Sequence, residues 1–199
     1  MNKFNPAKKL LCNFSEERNT VFITNCDEYR MDFQMKHTIS ILVENHAGVL
    51  SRISGLFARR AFNIDSLAVG VTDDTSISRI TIVVDGTDYT VEQLEKQLNK
   101  LVDVIKVKTI SGAELIAREL MLVKVSADAA QRSELLTIAE IMGAKVADIS
   151  RTTLTLELSD TTERLADFED LLAPFGIKEI VRTGTIAMQR GSDVIALKK

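Results

Sequence analysis

The chain has 199 residues, of which 45% are hydrophobic and 27% charged, and its formal net charge is −3. This length accommodates one large domain or two small ones, and the aliphatic content is sufficient for a real core. The charge balance disfavours nucleic-acid binding, which needs basic patches that displace counterions. Membrane spanning is also disfavoured, because the longest apolar runs, such as residues 39–43, are far shorter than a bilayer.

The sequence carries none of the usual signatures of catalysis or metal binding. Its two cysteines, Cys12 and Cys26, are too few for a disulfide framework or a zinc site, and we interpret them as free thiols. His37 and His46 have no nucleophile or acidic partner suitably spaced in sequence. A Gly-rich phosphate loop and a nucleophile elbow are both missing. We therefore predict no catalytic residue, no metal and no cofactor for this chain, which we expect in a reducing compartment.

Residues 1–34 differ from the rest because they show no sustained period of 2.0 or 3.6 residues. We expect them to form a flexible N-terminal extension. They hold five basic and five acidic residues, whereas transit peptides are poor in acids. Met35 leads directly into a clean strand and could be the native start. The alternative is that the extension is a short docking segment.

The pattern of apolar residues predicts a first βαββαβ module that begins at His37. Apolar residues alternate through Ile39, Ile41 and Val43 in a strand, and a turn at 44–48 leads into a helix over 49–60. Two strands follow at 63–71 and 77–84. A capping box at residues 90–93 opens a second helix, and the last strand covers 102–110.

The same order then repeats in a second module. A strand at 119–125 precedes a helix that ends at Gly143, and a strand pair follows at 145–149 and 153–158. Residues 160–163 cap the next helix, which Pro174 and Gly176 end. The final strand is predicted over 177–188.

Two copies of this order predict an α+β fold of two ferredoxin-like βαββαβ modules in tandem. We assign residues 35–112 to the first module, 113–118 to a linker, 119–191 to the second module and 192–199 to a tail. Each module would place both helices on one face of an antiparallel sheet. The other face and the edge strands would stay uncovered, and exposed edges favour pairing. We therefore expect a homodimer whose sheets join edge to edge.

The segment with chemical character is the turn between the first strand and the first helix. The first turn of a helix has unpaired N–H groups and a partial positive charge, which together bind a carboxylate. Gly48 would let a ligand approach the backbone, while Asn45 and Asn63 could offer side-chain carbonyls to an ammonium group. An amino acid presents both groups at once. The alternative is purely structural, with Asn45 capping the helix and Gly48 relieving the turn.

The string ILVENHAGVLSRISGLFARRAFNIDSLAVG, followed by SRITIVV, EQLEKQLNKLVDVIKV and RELMLVKV, resembles the small subunit of acetohydroxyacid (acetolactate) synthase. The similarity runs from Met35 to about Gly191. The resemblance implies that the first module is an ACT domain, that two ACT domains pair, and that valine binds between them. It also implies a set of valine-binding positions: Asn45, Ala47, Gly48, Val49, Leu50 and Asn63.

The resemblance further implies that catalysis belongs to a separate large subunit, which uses thiamine diphosphate, Mg²⁺ and usually FAD. The small subunit would activate it and confer feedback inhibition by valine in branched-chain amino-acid biosynthesis. The expected location is the cytoplasm, with the plastid stroma as the alternative. The second module has no comparable ligand motif, so we assign it to dimer contacts or to contact with the catalytic subunit.

One departure from the family is Ala61, where Gly is usual. Ala in a left-handed conformation at a helix end costs about 1 kcal/mol. Either the backbone differs before Asn63 or the helix end is strained.

Two other interpretations of the chain remain open at this stage. One is a free-standing sensor that acts on another enzyme or on transcription, although no DNA-reading helix is evident. The other is an enzyme that uses the acidic residues nearest the turn. Nothing in the sequence pairs these residues with a base or a metal ligand: Glu44, Asp65, Asp73 and Asp74.

Overall fold

The computed structural model describes residues 35–110 and 112–195. The predicted N-terminal extension, both cysteines and the last four residues of the tail lie outside these ranges. The first module contains four strands and two helices: β1 (Met35–Glu44), α1 (Val49–Arg59), β2 (Ile64–Val71), β3 (Ile77–Gly86), α2 (Asp88–Leu98) and β4 (Val104–Ile110). Its sheet has the order β2-β3-β1-β4, and its paired strands are antiparallel.

Alternating apolar residues hold the first module together. Ile39 and Ile41 of β1 and Ile82 of β3 are fully buried on the face that the helices cover. Phe57 of α1 and Leu98 of α2 complete this core from the other side. Complete burial of such a side chain contributes about 1.5–3 kcal/mol.

The second module repeats the first and adds a short strand. Its elements are β5 (Leu115–Ser126), α3 (Arg132–Met142), β6 (Lys145–Ile149), β7 (Thr153–Asp160), α4 (Thr162–Leu172), β8 (Ile177–Arg182) and β9 (Ile186–Gln189). The sheet has the order β6-β7-β5-β8, and β9 pairs with the first part of β5. The tandem ferredoxin-like fold is therefore confirmed. No helix in the described ranges is long and apolar enough to cross a membrane.

Three predicted boundaries were wrong. Helix α2 begins before the predicted capping box, because Thr87 is the N-cap and exchanges hydrogen bonds with Thr90. The predicted linker at 113–118 is mostly strand, since β5 already starts at Leu115. The predicted last strand is two strands, because Gly184, between β8 and β9, adopts a φ of 80°.

The outer face of the first sheet, opposite its helices, is covered, contrary to prediction. Residues 115–118 of β5 pair with β9 to form a two-stranded arm that lies against this face. Thr185 N–H donates to Ser66 Oγ at 2.7 Å, and Arg79 donates to the Ala187 carbonyl at 2.7 Å. Ser40 is consequently fully buried on this face. Within residues 35–110 and 112–195 no further strand pairs with the β2 edge, as predicted, and its apolar Val69 and Val71 are exposed.

Helix α1 ends in a Schellman motif whose left-handed residue is Ala61, with φ 55°. Phe62 N–H donates to the Phe57 carbonyl and Ala61 N–H donates to the Ala58 carbonyl, which is the bond pattern of that motif. The Phe57 and Phe62 rings pack edge to face with centroids 6.4 Å apart. The second expectation for Ala61 is therefore correct: the backbone keeps the Gly-type geometry and the helix end is strained.

Ala61→Gly should stabilise the protein by about 1 kcal/mol, because it removes the left-handed penalty at φ 55°. The matched control is Gly143→Ala, since Gly143 ends α3 in the same type of motif with φ 76°. That change should destabilise by a similar amount. Urea unfolding of both variants measures the two effects, and a destabilised Ala61→Gly protein would contradict the assignment of strain.

Candidate amino-acid binding site

The turn from β1 into α1 is built on a left-handed glycine. Gly48 is the N-cap of α1, with φ 92° and ψ −15°. This region of backbone space is open to Gly and costly for residues with a Cβ. Gly48 therefore does relieve the turn, and it also leaves the approach to the helix start free of a side chain.

The first turn of α1 presents unused hydrogen-bond donors. Arg52 N–H is the first in the helix to donate to a backbone carbonyl, that of Gly48 at 3.1 Å. The N–H groups of residues 48–51 have no acceptor among the residues that the structure describes. No acidic residue lies in this turn to compete for them. The arrangement can therefore bind a carboxylate by hydrogen bonds and by the helix dipole.

Asn45 does not cap the helix, so that part of the structural alternative is wrong. Its side-chain amide donates to the Thr75 carbonyl at 2.8 Å, and its backbone N–H donates to the Ser76 carbonyl at 2.7 Å. Both bonds hold Asn45 against the β2–β3 turn. The side-chain carbonyl oxygen keeps its acceptor capacity and can accept from an ammonium group.

Asn63 is oriented in a similar way, but at the other end of the module. Its side-chain amide donates to Asp65 Oδ1 at 2.9 Å, and Asp65 in turn pairs with Lys36 at 3.3 Å. The side-chain carbonyl of Asn63 is thus also available as an acceptor.

One chain does not bring its two asparagines together. Asn63 precedes Ile64, which pairs with Val84 of β3, whereas Asn45 follows Glu44, which pairs with Ile77. Seven residues of strand separate these two positions on β3, which corresponds to roughly 24 Å. The predicted site residues 45–50 form one cluster, and Asn63 stands apart from it.

A buried carboxylate beside the turn was missed by the sequence analysis. Asp103, whose side chain is 8% exposed, accepts from the Arg52 guanidinium and lies 3.1 Å from His46 Nε2. Glu44 Oε2 lies 3.4 Å from the same His46 nitrogen. The expectation that none of the four acidic candidates is paired with a base was therefore wrong for Glu44, and also for Asp65, which pairs with Lys36.

The Asp103 network orders the turn rather than offering an open metal site. Glu44, His46 and Asp103 can each present a ligand atom within 4.8 Å of the others. The Arg52 guanidinium, however, already occupies one Asp103 oxygen. The backbone carbonyl of Asp103 also accepts a hydrogen bond from the Glu44 N–H, at 2.9 Å. Asp103 thus connects the end of β1, the turn and the first turn of α1.

The sequence held one local signal for Asp103: a single carboxylate within the apolar run Leu101-Val102-Asp103-Val104-Ile105. A charged residue inside such a run is rarely buried without a partner. The partners themselves lie about fifty residues away in sequence, at His46 and Arg52. Pattern analysis does not reach across that separation.

Two of the remaining acidic candidates, Asp74 and Asp65, have structural roles in the described part of the chain. Asp74 accepts from the backbone N–H and the hydroxyl of Ser76, and these hydrogen bonds lower the pKa of its carboxyl. It therefore orders the β2–β3 turn. Asp65 belongs to the Asn63 pair described above. Neither lies in an arrangement of acid, base and nucleophile.

Two family descriptions match the chain and together cover both modules. Residues 39–106 match the AHAS small subunit-like ACT domain, and residues 118–191 match the small subunit of acetolactate synthase. The fold and the match over residues 39–106 thus define a protein of the ACT-domain class.

Individual relatives narrow the class further. The chain is 48% identical over 158 residues to a probable acetolactate synthase small subunit of Archaeoglobus fulgidus, covering 79% of this chain and 99% of that protein. It is 46% identical to acetolactate synthase small subunit 2, chloroplastic, of Arabidopsis thaliana, covering 84% of this chain and 34% of that longer protein. The crystal structure of the Thermotoga maritima acetolactate synthase small subunit superposes with a TM-score of 0.76 at 38% identity, covering 80% of this chain and 99% of that one. The chain belongs to the family of acetolactate synthase small subunits.

Asp103→Asn should destabilise the first module by about 1–3 kcal/mol, because it removes the charge that Arg52 and His46 contact at a buried position. Asp193→Asn is the control: its carboxylate is 69% exposed and pairs with Lys108 at 3.8 Å. Exposed pairs contribute little, so the control should unfold close to the unmodified protein. Chemical denaturation compares the two, and equal midpoints would show that Asp103 does not hold the turn.

Proposed function

We propose that this chain is the regulatory subunit of acetolactate synthase, which activates a separate catalytic subunit and makes it sensitive to valine. The observation that carries the effector site is the set of free N–H groups at residues 48–51 beside the oriented Asn45. The family membership supports a partnership with a large subunit, because the relatives are named as small subunits of that enzyme.

The effector would bind by its two charged groups. Its carboxylate would accept from the N–H groups of residues 48–51, where the helix dipole adds to the attraction. Its ammonium group would donate to asparagine carbonyls. Leu50, which is 43% exposed, offers an apolar contact to the effector's side chain. Such a site suits an affinity in the micromolar to millimolar range, roughly −8 to −4 kcal/mol.

Two copies of the chain are needed to place both asparagines on one effector. Strand β2 is an edge of the first sheet, and a two-fold axis through its middle would pair it antiparallel with its copy. That pairing sets the start of one β2 beside the end of the other. Asn63 precedes the start, and the β2–β3 turn that holds Asn45 follows the end. Asn63 of one copy would then approach Asn45 of the other.

The surface around this edge fits such a dimer. Leu67, Val69 and Val71 are 36%, 50% and 59% exposed, and they alternate along β2. Leu67 and Val69 pair with Ile82 and Ile80, whose side chains face the helices. An apolar strip beside an unpaired edge is an aggregation hazard in a monomer. Pairing of two copies would bury the strip and use the open backbone groups.

Feedback requires that valine binds the less active arrangement of the complex more tightly. A coupling free energy of about 1–3 kcal/mol gives a useful response. Discrimination by size should be modest, because one methylene in an apolar pocket is worth about 1–3 kcal/mol. Leucine and isoleucine should therefore bind more weakly than valine, but measurably.

The chemistry of the reaction would belong to the catalytic subunit, together with thiamine diphosphate, Mg²⁺ and FAD. In the second module the outer face of the sheet is open and includes the exposed Leu122 and Val181. We assign this face to dimer contacts or to the catalytic subunit. The location would be the cytoplasm or, as for the relative named chloroplastic, a plastid.

Gly48→Asp should abolish valine inhibition of the reconstituted enzyme while leaving activation of the catalytic subunit largely intact. The new carboxylate would occupy the position of the effector's own carboxylate and repel it. Gly48→Ala is the matched control, because at φ 92° it introduces a Cβ without a charge. Acetolactate formation from pyruvate is measured with and without valine.

The control should retain more valine sensitivity than Gly48→Asp. Full sensitivity of Gly48→Asp would place the effector elsewhere. The chain assayed without its catalytic partner should form no acetolactate, and any product would contradict the non-catalytic role.

A mixing experiment tests whether each effector site is shared between two copies. Asn45→Ala and Asn63→Ala homodimers should each lose valine binding. A mixed dimer would combine the intact Asn45 of one copy with the intact Asn63 of the other at one of its two sites. Refolded mixtures should therefore regain valine binding, with one site per mixed dimer.

Calorimetry on differently tagged, co-purified mixed dimers gives the stoichiometry. Sites formed within single chains would stay defective in every mixture, so the absence of regained binding would overturn the shared site.

A further inference from the structure

A cavity lies between the outer face of the first sheet and the arm formed by residues 115–118 and β9. Its volume is about 890 Å³, within the range of sites for small organic ligands. Most of its walls are aliphatic, from both modules: Leu42, Val71, Ile77, Ile116, Ile186 and Met188. The cavity is separate from the turn at residues 45–48, none of which lines it.

Arg79 places a cation in this apolar cavity. The residue lies on the outer face of β3, and its Nη2 donates to the Ala187 carbonyl at 2.7 Å. Its Nε is buried and has no hydrogen-bond partner among the residues that the structure describes. None of the carboxylates that the structure describes lies within ion-pair distance of the Arg79 guanidinium. Burial lowers the pKa of Arg79, because the guanidinium loses part of its water shell.

The other charged groups of the cavity do not neutralise Arg79. Arg118 also lines it, and its guanidinium donates to the Ala117 carbonyl at 2.6 Å rather than to an acid. Asp74 is engaged by Ser76, and Asp73 is exposed in the same turn. The cavity therefore combines aliphatic walls with two guanidinium groups that have no ion pair in the described residues.

A guanidinium with unused donors in an apolar cavity is unfavourable unless an anion reaches it. A carboxylate matches the planar fork of arginine and can accept two hydrogen bonds from it. The ligand's body would have to be aliphatic to contact the walls. A phosphate or a larger polyanion would leave those walls in water.

We propose that this cavity is a second ligand site, which binds a small aliphatic monocarboxylate with its carboxylate on Arg79. The ligand would contact both modules, because Arg79 belongs to the first sheet and Ala187, Ile186 and Met188 belong to the arm. The site therefore lies where occupancy can change how firmly the arm is held against the first sheet. It does not depend on the valine site proposed above.

The test uses the full chain and 4-methylpentanoate as the probe, with binding measured by calorimetry and by ligand-observed NMR. We expect one probe per chain with a dissociation constant below about 1 mM. The neutral analogue 4-methylpentanamide should bind at least tenfold more weakly. Arg79→Met should also weaken the probe at least tenfold, whereas Arg79→Lys, which keeps the charge, should retain part of the affinity.

Two variants serve as controls. Arg151→Met removes an exposed arginine that does not line the cavity, and it should leave probe binding unchanged. Gly48→Asp should leave it unchanged as well, which separates this site from the valine site. Thermal unfolding checks that each Arg79 variant is folded, and Arg79→Lys keeps the test valid if Arg79→Met is not.

Several outcomes would overturn the proposal. The first is that the unmodified chain does not bind the probe at 10 mM. This result is expected if a second copy or another protein fills the cavity. The second is equal affinity for the acid and the amide, and the third is loss of probe binding in Gly48→Asp.

Discussion

The left-handed conformation of Gly48 is the constraint on which the site depends. It turns the chain from β1 into α1 without a Cβ at the N-cap, and the N–H groups of residues 48–51, as at the start of any helix, have no acceptor among the described residues. The same turn brings Asn45 against Thr75 and places His46 and Arg52 on the buried Asp103. The turn thus leaves the helix donors accessible, orients an acceptor on Asn45 and is held by the buried Asp103. The proposed binding function would follow from the way the helix starts.

Much of this arrangement could be predicted from the sequence because it is local. Periodicities of 2.0 and 3.6 residues located the strands and helices, and the repeat of their order predicted the tandem fold. The strand–turn–helix passage around Gly48 predicted free helix N–H groups from neighbouring residues alone. For Ala61 the comparison with the family left two expectations open, and the hydrogen bonds of the Schellman motif select the strained helix end.

The features that sequence analysis missed depend on contacts between distant segments. Asp103 contacts His46 and Arg52, which lie more than fifty residues away in sequence. The periodicity of the sequence carries no information about such a contact. The separation of Asn45 from Asn63 appears only in the register of β3 with its neighbours. The arm was missed because residues 115–118 alternate too briefly to mark a strand, and because Gly184 alone divides β8 from β9. Its docking against Ser66 then closes a face that each module, taken by itself, would leave open.

The two modules consequently solve the problem of an uncovered sheet in different ways. In the first module the arm covers the outer face, and the β2 edge with its apolar strip stays available for a second copy. In the second module the outer face is left open by the described residues, and Leu122 and Val181 are exposed on it. An effector bound at the β2 edge would act on the first sheet, and that sheet is tied to the second module through Arg79 and Ser66. Under the proposed function, a change at the edge would reach the second module through one sheet and these two hydrogen bonds.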